Sequence, residues 1–296
     1  MEIEVVKKLI KNHVERHVNF IQNAETAGRY YRNETDILLD PPRKEKQKAE
    51  QEGETPLRNA DNRIPFNFHG LLVNQKAAYM FTAPPLFDLG NKKANKSLQS
   101  FLGDKYPKVC KDLCINASNA SVGWIHVWRD KASGTYKYAV VPSAQVIPIW
   151  DKSLEKQLKG VLRCYHDITE DGKELDVYEY WNDTICEAYA VEAGHTIEDD
   201  LLPFHMFTVI ATDGTVKETY GFEHGIGEVP FFAFSNNNIG TSDLKNIKPL
   251  IDTYCKVFSG FVNDLEDIQE VIFVLTNYGG ADLSEFLSDL KYYKTI

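Results

Sequence analysis

The stretch from Asn59 to Phe81, which reads NADNRIPFNFHGLLVNQKAAYMF, decides the organisation of this chain. It begins as a short polar arm and continues after Pro65 as a helix, which Pro84 and Pro85 stop. Proline is tolerated in the first turn of a helix, because the amide that it lacks has no intrahelical partner there. One side of the predicted helix carries Phe68, Leu71, Leu72, Gln75, Ala78 and Tyr79. The sequence therefore predicts an arm that leads into a sharply terminated helix.

The bulk composition indicates a soluble protein with room for one large or two ordinary domains. The chain has 296 residues, of which 43% are hydrophobic and 12% aromatic, and its formal net charge is -10. A sequence-specific DNA-binding protein normally carries a basic surface, so this charge argues against that class. The 5 cysteines are an odd number and follow no signal peptide, so reduced thiols are expected. No apolar run approaches the ~18 residues of a membrane span, so no membrane association is predicted.

A different periodicity begins at Gly123, where the sequence takes on the two-residue alternation of β-strands. Explicit turns separate the strand-like runs, and Asp-Gly in such a turn favours a hairpin. The runs cover residues 124–129, 136–141, 145–150, 160–166, 175–181, 185–191, 207–211 and 215–220. Helices are predicted from residue 3 to about 27, ending at Gly28, and over 96–120, with a break near Pro107. The predicted class is α+β, with helices that flank an antiparallel β meander.

A long amphipathic helix is predicted in the last third of the chain, starting between Ser242 and Asn246. A start near Asn246 leaves Pro249 in the first turn, where proline is harmless. The apolar stripe of this helix is wide and aromatic, and exposed patches of this kind usually mark an interface. The residues predicted to contact a neighbouring subunit are Ile251, Tyr254, Phe258 and Phe261.

A second candidate site is the run of carboxylates on the same helix. Asp264, Asp267 and Glu270 lie opposite much of the apolar stripe. The usual cause of such a run is a solvated helix face. Aimed into a channel, the same residues would form an acidic lining.

No residue pattern predicts catalysis, a bound cofactor or a metal site. His13 and His17 share a helix face, as zinc ligands can, but no Glu follows His13 directly and no third ligand is nearby in sequence. Cys110 and Cys114 are spaced too widely for a zinc ribbon, so two thiols on a core-facing helix are predicted. The sequence contains no glycine-rich phosphate loop and no Gly-x-Ser-x-Gly elbow. The absence of these motifs weakly favours a protein that is not an enzyme.

Two stretches, residues 58–85 and 228–296, resemble signatures of the portal proteins of tailed bacteriophages. The second contains Val229-Pro230-Phe231 and Tyr278-Gly279-Gly280, and the likeness is to the subtype of siphophages with Gram-positive hosts. The resemblance implies that the meander is the portal wing and that the long helix leads to the stem and clip. It also implies a dodecameric ring at one capsid vertex, a conduit through which double-stranded DNA passes without sequence preference during packaging and ejection.

The same resemblance implies partners and a location. A portal ring docks the terminase motor, later holds the head-to-tail adaptor, and assembles with the scaffold and major capsid proteins. The protein would belong to the virion, and to the host cytoplasm during assembly. Family members continue past the position of Ile296, so the chain would be truncated at its C-terminus. The rest of the stem and clip, the tunnel loop and the crown would lie outside it, and no DNA-contact residue is predicted.

The predicted segments are a helical segment at residues 1–39, a flexible loop at 40–57, a wing domain at 58–241, and the stem helix with the start of the clip at 242–296. The loop is expected to be mobile because it lacks apolar anchors. Two other functions are open at this point. One is a β-rich metal-dependent hydrolase or binding protein that uses the acidic helix, and the other is a different virion connector protein.

Overall fold

The computed structural model describes residues 2–41, 60–130, 134–210 and 215–269. The predicted flexible loop lies outside these residues apart from its first two, and so do Glu270 and the predicted start of the clip. Helices and antiparallel sheets are both present, which confirms the predicted α+β class with a β meander and a long C-terminal helix.

The elements follow the chain in an order close to the predicted one. The helices are α1 (Ile3–Tyr31), α2 (Phe68–Met80), α3 (Lys92–Leu102), α4 (Tyr106–Ala120), α5 (Ile197–Asp200) and α6 (Leu244–Gln269). The strands are β1 (Val122–Arg129), β2 (Tyr136–Val141), β3 (Val146–Trp150), β4 (Leu158–Ile168), β5 (Glu174–Trp181), β6 (Ile185–Glu192), β7 (Leu202–Pro203), β8 (Phe207–Ile210), β9 (Val216–Thr219), β10 (Gly221–Glu223) and β11 (Phe231–Ser235). Short 3₁₀ helices cover Asp36–Leu38 and Ser143–Gln145.

Contacts divide the chain into two units, each built from two separate segments. The sheet unit comprises Met1–Gly28 and Leu72–Leu244, and the helix unit comprises Arg29–Leu71 and Lys245–Ile296. The divisions fall inside helices α1 and α2 and at the start of α6. Both units are therefore discontinuous in sequence, whereas the segments predicted from the sequence are continuous.

The strands of the sheet unit form two sheets and a separate hairpin. The larger sheet has the order β10-β6-β5-β4-β3, with β7 beside β6, and β8 pairs with β9. The smaller sheet has the order β11-β1-β2, with Ser235 of β11 opposite Val122 of β1. Consecutive hairpins from β3 to β6 match the predicted meander. The return of β11 to β1 is a long-range pairing that local alternation cannot reveal.

Apolar side chains fill both faces of the larger sheet. One core joins the two sheets and contains Trp124, Val141, Val146, Val161, Trp181, Cys186, Val229 and Phe231. The other core packs α1 on the opposite face and contains Val6, Ile10, Ile147, Leu162, Tyr189, Val191 and Leu201. Val161 and Leu162 belong to different cores, because successive strand side chains point to opposite faces.

Helix α4 packs against β1 at a glycine. A Cβ atom at Gly123 would lie 2.7 Å from the carbonyl oxygen of Leu113 and 2.9 Å from its Cδ1 atom. Any larger residue at Gly123 would push the helix away from the strand. The glycine that opens the β region in the sequence thus also fixes the distance from α4 to the smaller sheet.

A carboxylate, Glu179, is buried in the larger sheet and satisfied by neighbouring side chains. Its Oε1 atom accepts from the Tyr165 hydroxyl at 2.8 Å and from Arg163 at 3.2 Å. Its Oε2 atom accepts from Nε1 of Trp181 at 2.9 Å. Burial, together with the nearby Glu179 charge, raises the pKa of Tyr165. Removing one member of a buried ionic group leaves the others uncompensated, so the network ties β4 to β5.

His126 of β1 lies among aromatic rings in the sheet unit. Its ring is 4.4 Å from that of Phe231 and 4.7 Å from that of Trp181, measured between centroids. The neutral ring donates from Nδ1 to the Pro230 carbonyl oxygen at 2.9 Å. Burial lowers the pKa of His126 to about 4, although the Pro230 hydrogen bond works in the opposite direction.

We expect His126 to make the stability of the protein depend on pH. The unfolded chain protonates this histidine near pH 6.5 and the folded chain only near pH 4, so the unfolded state binds the proton first as the pH falls. About 3 kcal/mol of unfolding free energy should be lost between pH 6.5 and 4. Urea unfolding at several pH values should show a shallower loss for His126→Gln than for the parent. Equal losses in both proteins would contradict this assignment.

Candidate functional site

The polar arm of the sequence is an extended strap, residues 60–66, that is bonded to helix α6 in the helix unit. Its alternate backbone amides donate to side chains of α6 that are four residues apart. The strap and the helix run antiparallel, so the strap number rises as the helix number falls. The pairs are Ala60 N to Asp267 Oδ1 (3.1 Å), Asn62 N to Asn263 Oδ1 (2.6 Å) and Ile64 N to Ser259 Oγ (3.0 Å).

The geometry of the two backbones explains the regular spacing of these three hydrogen bonds, which we call the ladder. Two residues of an extended chain advance ~6.6 Å and four residues of an α-helix advance ~6.0 Å, so the two repeats stay in step over three rungs. The helix uses its own amides and carbonyls internally, so only its side chains can accept from the strap. A buried amide without an acceptor costs about 1–3 kcal/mol, and the three side chains remove that cost.

Asn263 is the central rung and makes two contacts with the same residue. Besides accepting the Asn62 amide, it donates from Nδ2 to the Asn62 carbonyl oxygen at 3.4 Å. The Asn62 side chain in turn donates to Glu266. Asn263 and Ser259 are both buried. The strap therefore explains why two polar residues occupy the inner face of an amphipathic helix.

Beyond Ile64 the contact between strap and helix becomes aromatic. Phe66 meets the rings of Tyr254 and Phe258 edge-on, at centroid distances of 4.8 Å and 5.0 Å. Phe68 meets Tyr254 edge-on at 5.2 Å. Such pairs contribute roughly 0.5–1.5 kcal/mol each beyond the apolar area that they bury. Hydrogen bonds thus hold one end of the strap and rings hold the other.

The strap turns into α2 at Asn67, whose side chain accepts the Gly70 amide at 3.0 Å. This is the position and the bond of a helix N-cap. A Cβ atom at Gly70 would lie 2.7 Å from the Tyr31 carbonyl oxygen. The predicted helix after Pro65 therefore exists, and a glycine lets its first turn approach the end of α1.

A charged cluster at the start of α6 fixes Tyr30, which is fully buried. The Tyr30 hydroxyl donates to Asp252, and Lys248 binds Asp252 at 2.8 Å and also binds Asp36. Burial and the hydrogen bond to Asp252 raise the pKa of Tyr30 to about 12. Burial alone would lower the pKa of Lys248, but its hydrogen bonds to Asp252 and Asp36 outweigh burial and raise it.

One predicted helix boundary and the predicted position of Pro249 within its helix are wrong in this region. Helix α1 does not end at Gly28 but continues to Tyr31. A glycine inside a helix costs about 1 kcal/mol, and the burial of Tyr30 offsets it. Helix α6 begins at Leu244, so Pro249 lies inside the helix and not in its first turn. Leu244 is buried, which favours the earlier start.

The residues predicted to contact a neighbouring subunit do not share one environment. Ile251 is buried inside the chain, whereas Tyr254, Phe258 and Phe261 are 45%, 37% and 58% exposed. Positions three or four apart share a helix face, so the exposed residues form one continuous stripe. This α6 stripe consists of Leu250, Tyr254, Val257, Phe258, Phe261 and Leu265. Leu250 and Val257 were not predicted as part of this stripe, although their helical spacing could have revealed them.

The three carboxylates predicted to line a channel do not share one environment either. Asp264 is exposed, while Asp267 is partly exposed and accepts the Ala60 amide as a rung of the ladder. Glu270 lies outside the described residues. One of the predicted channel carboxylates therefore holds the strap, and the channel role of the face stays a prediction.

The residue types that commonly bind metals are not clustered in the described part of the chain. Among the residues that the structure describes, no three His, Cys, Asp or Glu side chains are grouped so as to hold a metal ion. Burial lowers the pKa of both His13 and His17. Cys110 and Cys114 are free thiols, of which Cys110 is buried. No helix in the described ranges is long and apolar enough to cross a membrane.

Comparison with known proteins gives consistent matches. A family model described as "Phage portal protein, SPP1 Gp6-like" matches residues 10–296. A protein of Clostridium phage phiCD119 named "Portal protein" is 39% identical over 310 residues, covering 100% of this chain and 63% of that protein. A "Portal protein" of Bacillus phage SPP1 is 25% identical over 250 residues, covering 80% of this chain and 46% of that protein. The chain thus spans about half to three-fifths of the length of these curated relatives.

We expect Asn263→Ala to release the strap from α6. The change leaves the Asn62 amide without its acceptor, so the free energy of unfolding should fall by about 1–3 kcal/mol. Amide hydrogen exchange should accelerate in residues 60–64, while strands β4 and β5 keep their protection. Asp264→Ala, at the exposed neighbouring position, is the control and should change neither quantity. Unaltered exchange of the strap in Asn263→Ala would refute the ladder.

Proposed function

The chain belongs to the SPP1 Gp6-like family of phage portal proteins, and we propose that it is a structural subunit of the ring that conducts DNA through one vertex of a phage capsid. The family is structural, so the alternative of a metal-dependent hydrolase is not supported. The match to a portal family also replaces the alternative of a different virion connector. Phage portal proteins are components of the virion.

The α6 stripe is the observation that carries the proposal. Six large apolar side chains stay exposed on one face of α6, while its opposite face buries Ser259 and Asn263. Contiguous exposed apolar patches mark interaction sites, and in a ring each subunit must contact two neighbours. We therefore propose that Tyr254, Phe258 and Phe261 contact the neighbouring subunit. Ile251 is buried, so it would contribute by packing within the subunit and not by direct contact.

The two units suit different parts of such a ring. The sheet unit has the antiparallel sheets expected of the wing, and the helix unit contains the long helix expected to lead to the stem and clip. The exposed carboxylate of Asp264, together with Glu270, would form the acidic lining of the channel. Asp267 would contribute only its charge, because one carboxylate oxygen accepts the Ala60 amide and the other is buried. Acidic walls keep DNA at a distance and let it slide, because they form no phosphate contacts.

The remaining elements of the proposal concern assembly. We propose a homo-oligomer, dodecameric in the full-length protein, that docks the terminase during packaging and later holds the head-to-tail adaptor. It would assemble with the scaffold and major capsid proteins in the host cytoplasm before it becomes part of the virion. The family membership supports these partners.

We expect Phe261→Asp to impair ring assembly. Burying a phenylalanine stabilises a contact by about 1.5–3 kcal/mol, and a buried unpaired carboxylate costs more. The yield of rings should therefore fall more than about tenfold, since 1.4 kcal/mol is a factor of ten. Size-exclusion chromatography with light scattering and negative-stain microscopy measure the yield for the full-length protein. Lys245→Asp, which adds negative charge at an exposed position on the other side of α6, should assemble normally.

A normal yield of rings from Phe261→Asp would show that the α6 stripe is not the subunit contact. Phe258→Asp tests the same stripe at a residue that also contacts Phe66. Its circular dichroism should be compared with that of Phe261→Asp, because Phe258→Asp disturbs the strap as well. Only Phe261→Asp isolates the surface contribution.

We expect the protein to bind duplex DNA weakly and without sequence preference. With 43 acidic and 33 basic residues, its net charge opposes phosphate binding. The dissociation constant should be no tighter than ~10⁻⁴ to 10⁻⁶ M at physiological salt, and binding should weaken further as salt rises. Mobility-shift titrations at two salt concentrations measure both quantities. Nanomolar, sequence-selective binding would contradict a conduit and indicate a regulator or a nuclease.

A further inference from the structure

The segment between α2 and α3 exposes apolar side chains that nothing in its own unit covers. We name residues 84–89 the prong. Leu86 is 92% exposed, and Phe87 and Leu89 are each more than half exposed. Tyr79 and Met80, at the end of α2, are exposed as well, whereas Val73 and Ala77 form the buried face of that helix. The apolar face predicted for α2 thus points outward and continues into the prong.

Two prolines and hydrogen bonds to the residues that follow it hold the prong in one conformation. Two consecutive prolines fix the backbone at its start. At its end, Oδ1 of Asp88 accepts from the Gly90 amide at 2.9 Å and from Nδ2 of Asn95 at 2.8 Å. Oδ1 of Asn95 accepts the Leu89 amide at 2.8 Å. A segment that is ordered before it binds loses little conformational entropy on docking.

These hydrogen bonds also engage the one charged side chain of the prong, Asp88. Asp88 is the only charged residue in the sequence of the prong. The hydrogen bonds from Asn95 and Gly90 lower the pKa of its carboxyl group, so it stays ionised and engaged with its own backbone. The surface left for a partner is therefore mainly apolar, with the ionised Asp88 near its end. Such a surface fits a protein groove better than it fits DNA or an anionic membrane.

The sheet unit also has a groove whose lining residues are uncharged, as most of the prong is. Its volume is about 520 Å³, and it lies between α3 and the smaller sheet. It is lined by Ser97, Ser100, Phe101, Val127, Thr135 and Tyr136. None of these residues is charged, and rings and an aliphatic side chain alternate with hydroxyl groups. The prong of the same chain does not fill the groove, because Leu86 remains 92% exposed.

We infer that the prong of one subunit docks in this groove of a second copy of the chain. The inference rests on the proposed function, because only a ring supplies a neighbour in a fixed place. Prong and groove are different surfaces, so the contact is heterologous, and a heterologous contact closes into a ring when the rotation between subunits allows it. A two-fold dimer would instead pair like with like.

Disulfide trapping tests the contact and its polarity. Assembled full-length protein carrying both Leu86→Cys and Ser100→Cys should give a ladder of covalent oligomers on mild oxidation. A mixture of the two single variants should give dimers that contain one copy of each, and neither variant alone should link to itself. The parent is the control for its native thiols, of which Cys110, Cys186 and Cys255 are buried. The pair Leu154→Cys and Ser100→Cys controls for chance collisions, since Leu154 is also fully exposed.

A charge substitution tests what the contact contributes. Leu86→Asp should lower the yield of rings at least tenfold, whereas Leu154→Asp, with the same change at an equally exposed leucine, should assemble like the parent. Both variants should melt at the parent's temperature as monomers, because neither residue is buried.

The outcomes separate this inference from the proposed function. Rings in the parent with no specific ladder, or with normal yield from Leu86→Asp, overturn the prong contact and leave the portal role standing. Self-linking of one single variant indicates a two-fold contact and also overturns it. A parent chain that never forms rings overturns the proposed function, and this inference with it.

Discussion

The amides of the strap need acceptors, and the helix unit is arranged around that need. An extended segment alone on a helix has no sheet partner, so its buried donors depend on side chains that the helix supplies at the matching interval. Ser259 and Asn263 occupy the inner face of α6 for this reason. Aromatic rings complete the attachment at the other end of the strap. Separately, a partly buried charge cluster ties Tyr30 to α6.

This arrangement reverses the usual amphipathic helix over part of α6. Polar residues face inward, where the strap uses them, and Phe261 and Leu265 face outward. A helix of this kind is poorly suited to a lone subunit, because its apolar residues gain nothing from solvent. The sheet unit shows the conventional pattern, with both faces of its larger sheet buried. The surfaces offered to other molecules therefore come from α6, from the prong and from the groove beside the smaller sheet.

Local sequence patterns predicted the helices and strands well, but they did not predict which of them contact one another. Each of the eight strand runs predicted between residues 124 and 220 is present, because two-residue alternation indicates which side chains lie on each face of a strand. The pairing of β11 with β1 and the rungs of the strap join residues far apart in the chain, and no local pattern encodes them. The end of α1 was misplaced because the burial of Tyr30 outweighs the effect of Gly28. The wide stripe of α6 was visible in the sequence, but burial of Ile251 could not be told from exposure of Phe261 by spacing alone.

The strap also sets the order in which the protein can be made. Asn62 and Asn263 are 201 residues apart, so the acceptors of the strap leave the ribosome long after the strap itself. At a synthesis rate of about 5–20 residues per second, the delay is roughly 10–40 s. The strands of the sheet unit are synthesised during that time, while residues 60–66 have no helix to bind. The nascent chain thus displays a bare aromatic segment, and a chaperone that binds Phe66 and Phe68 would act in this interval.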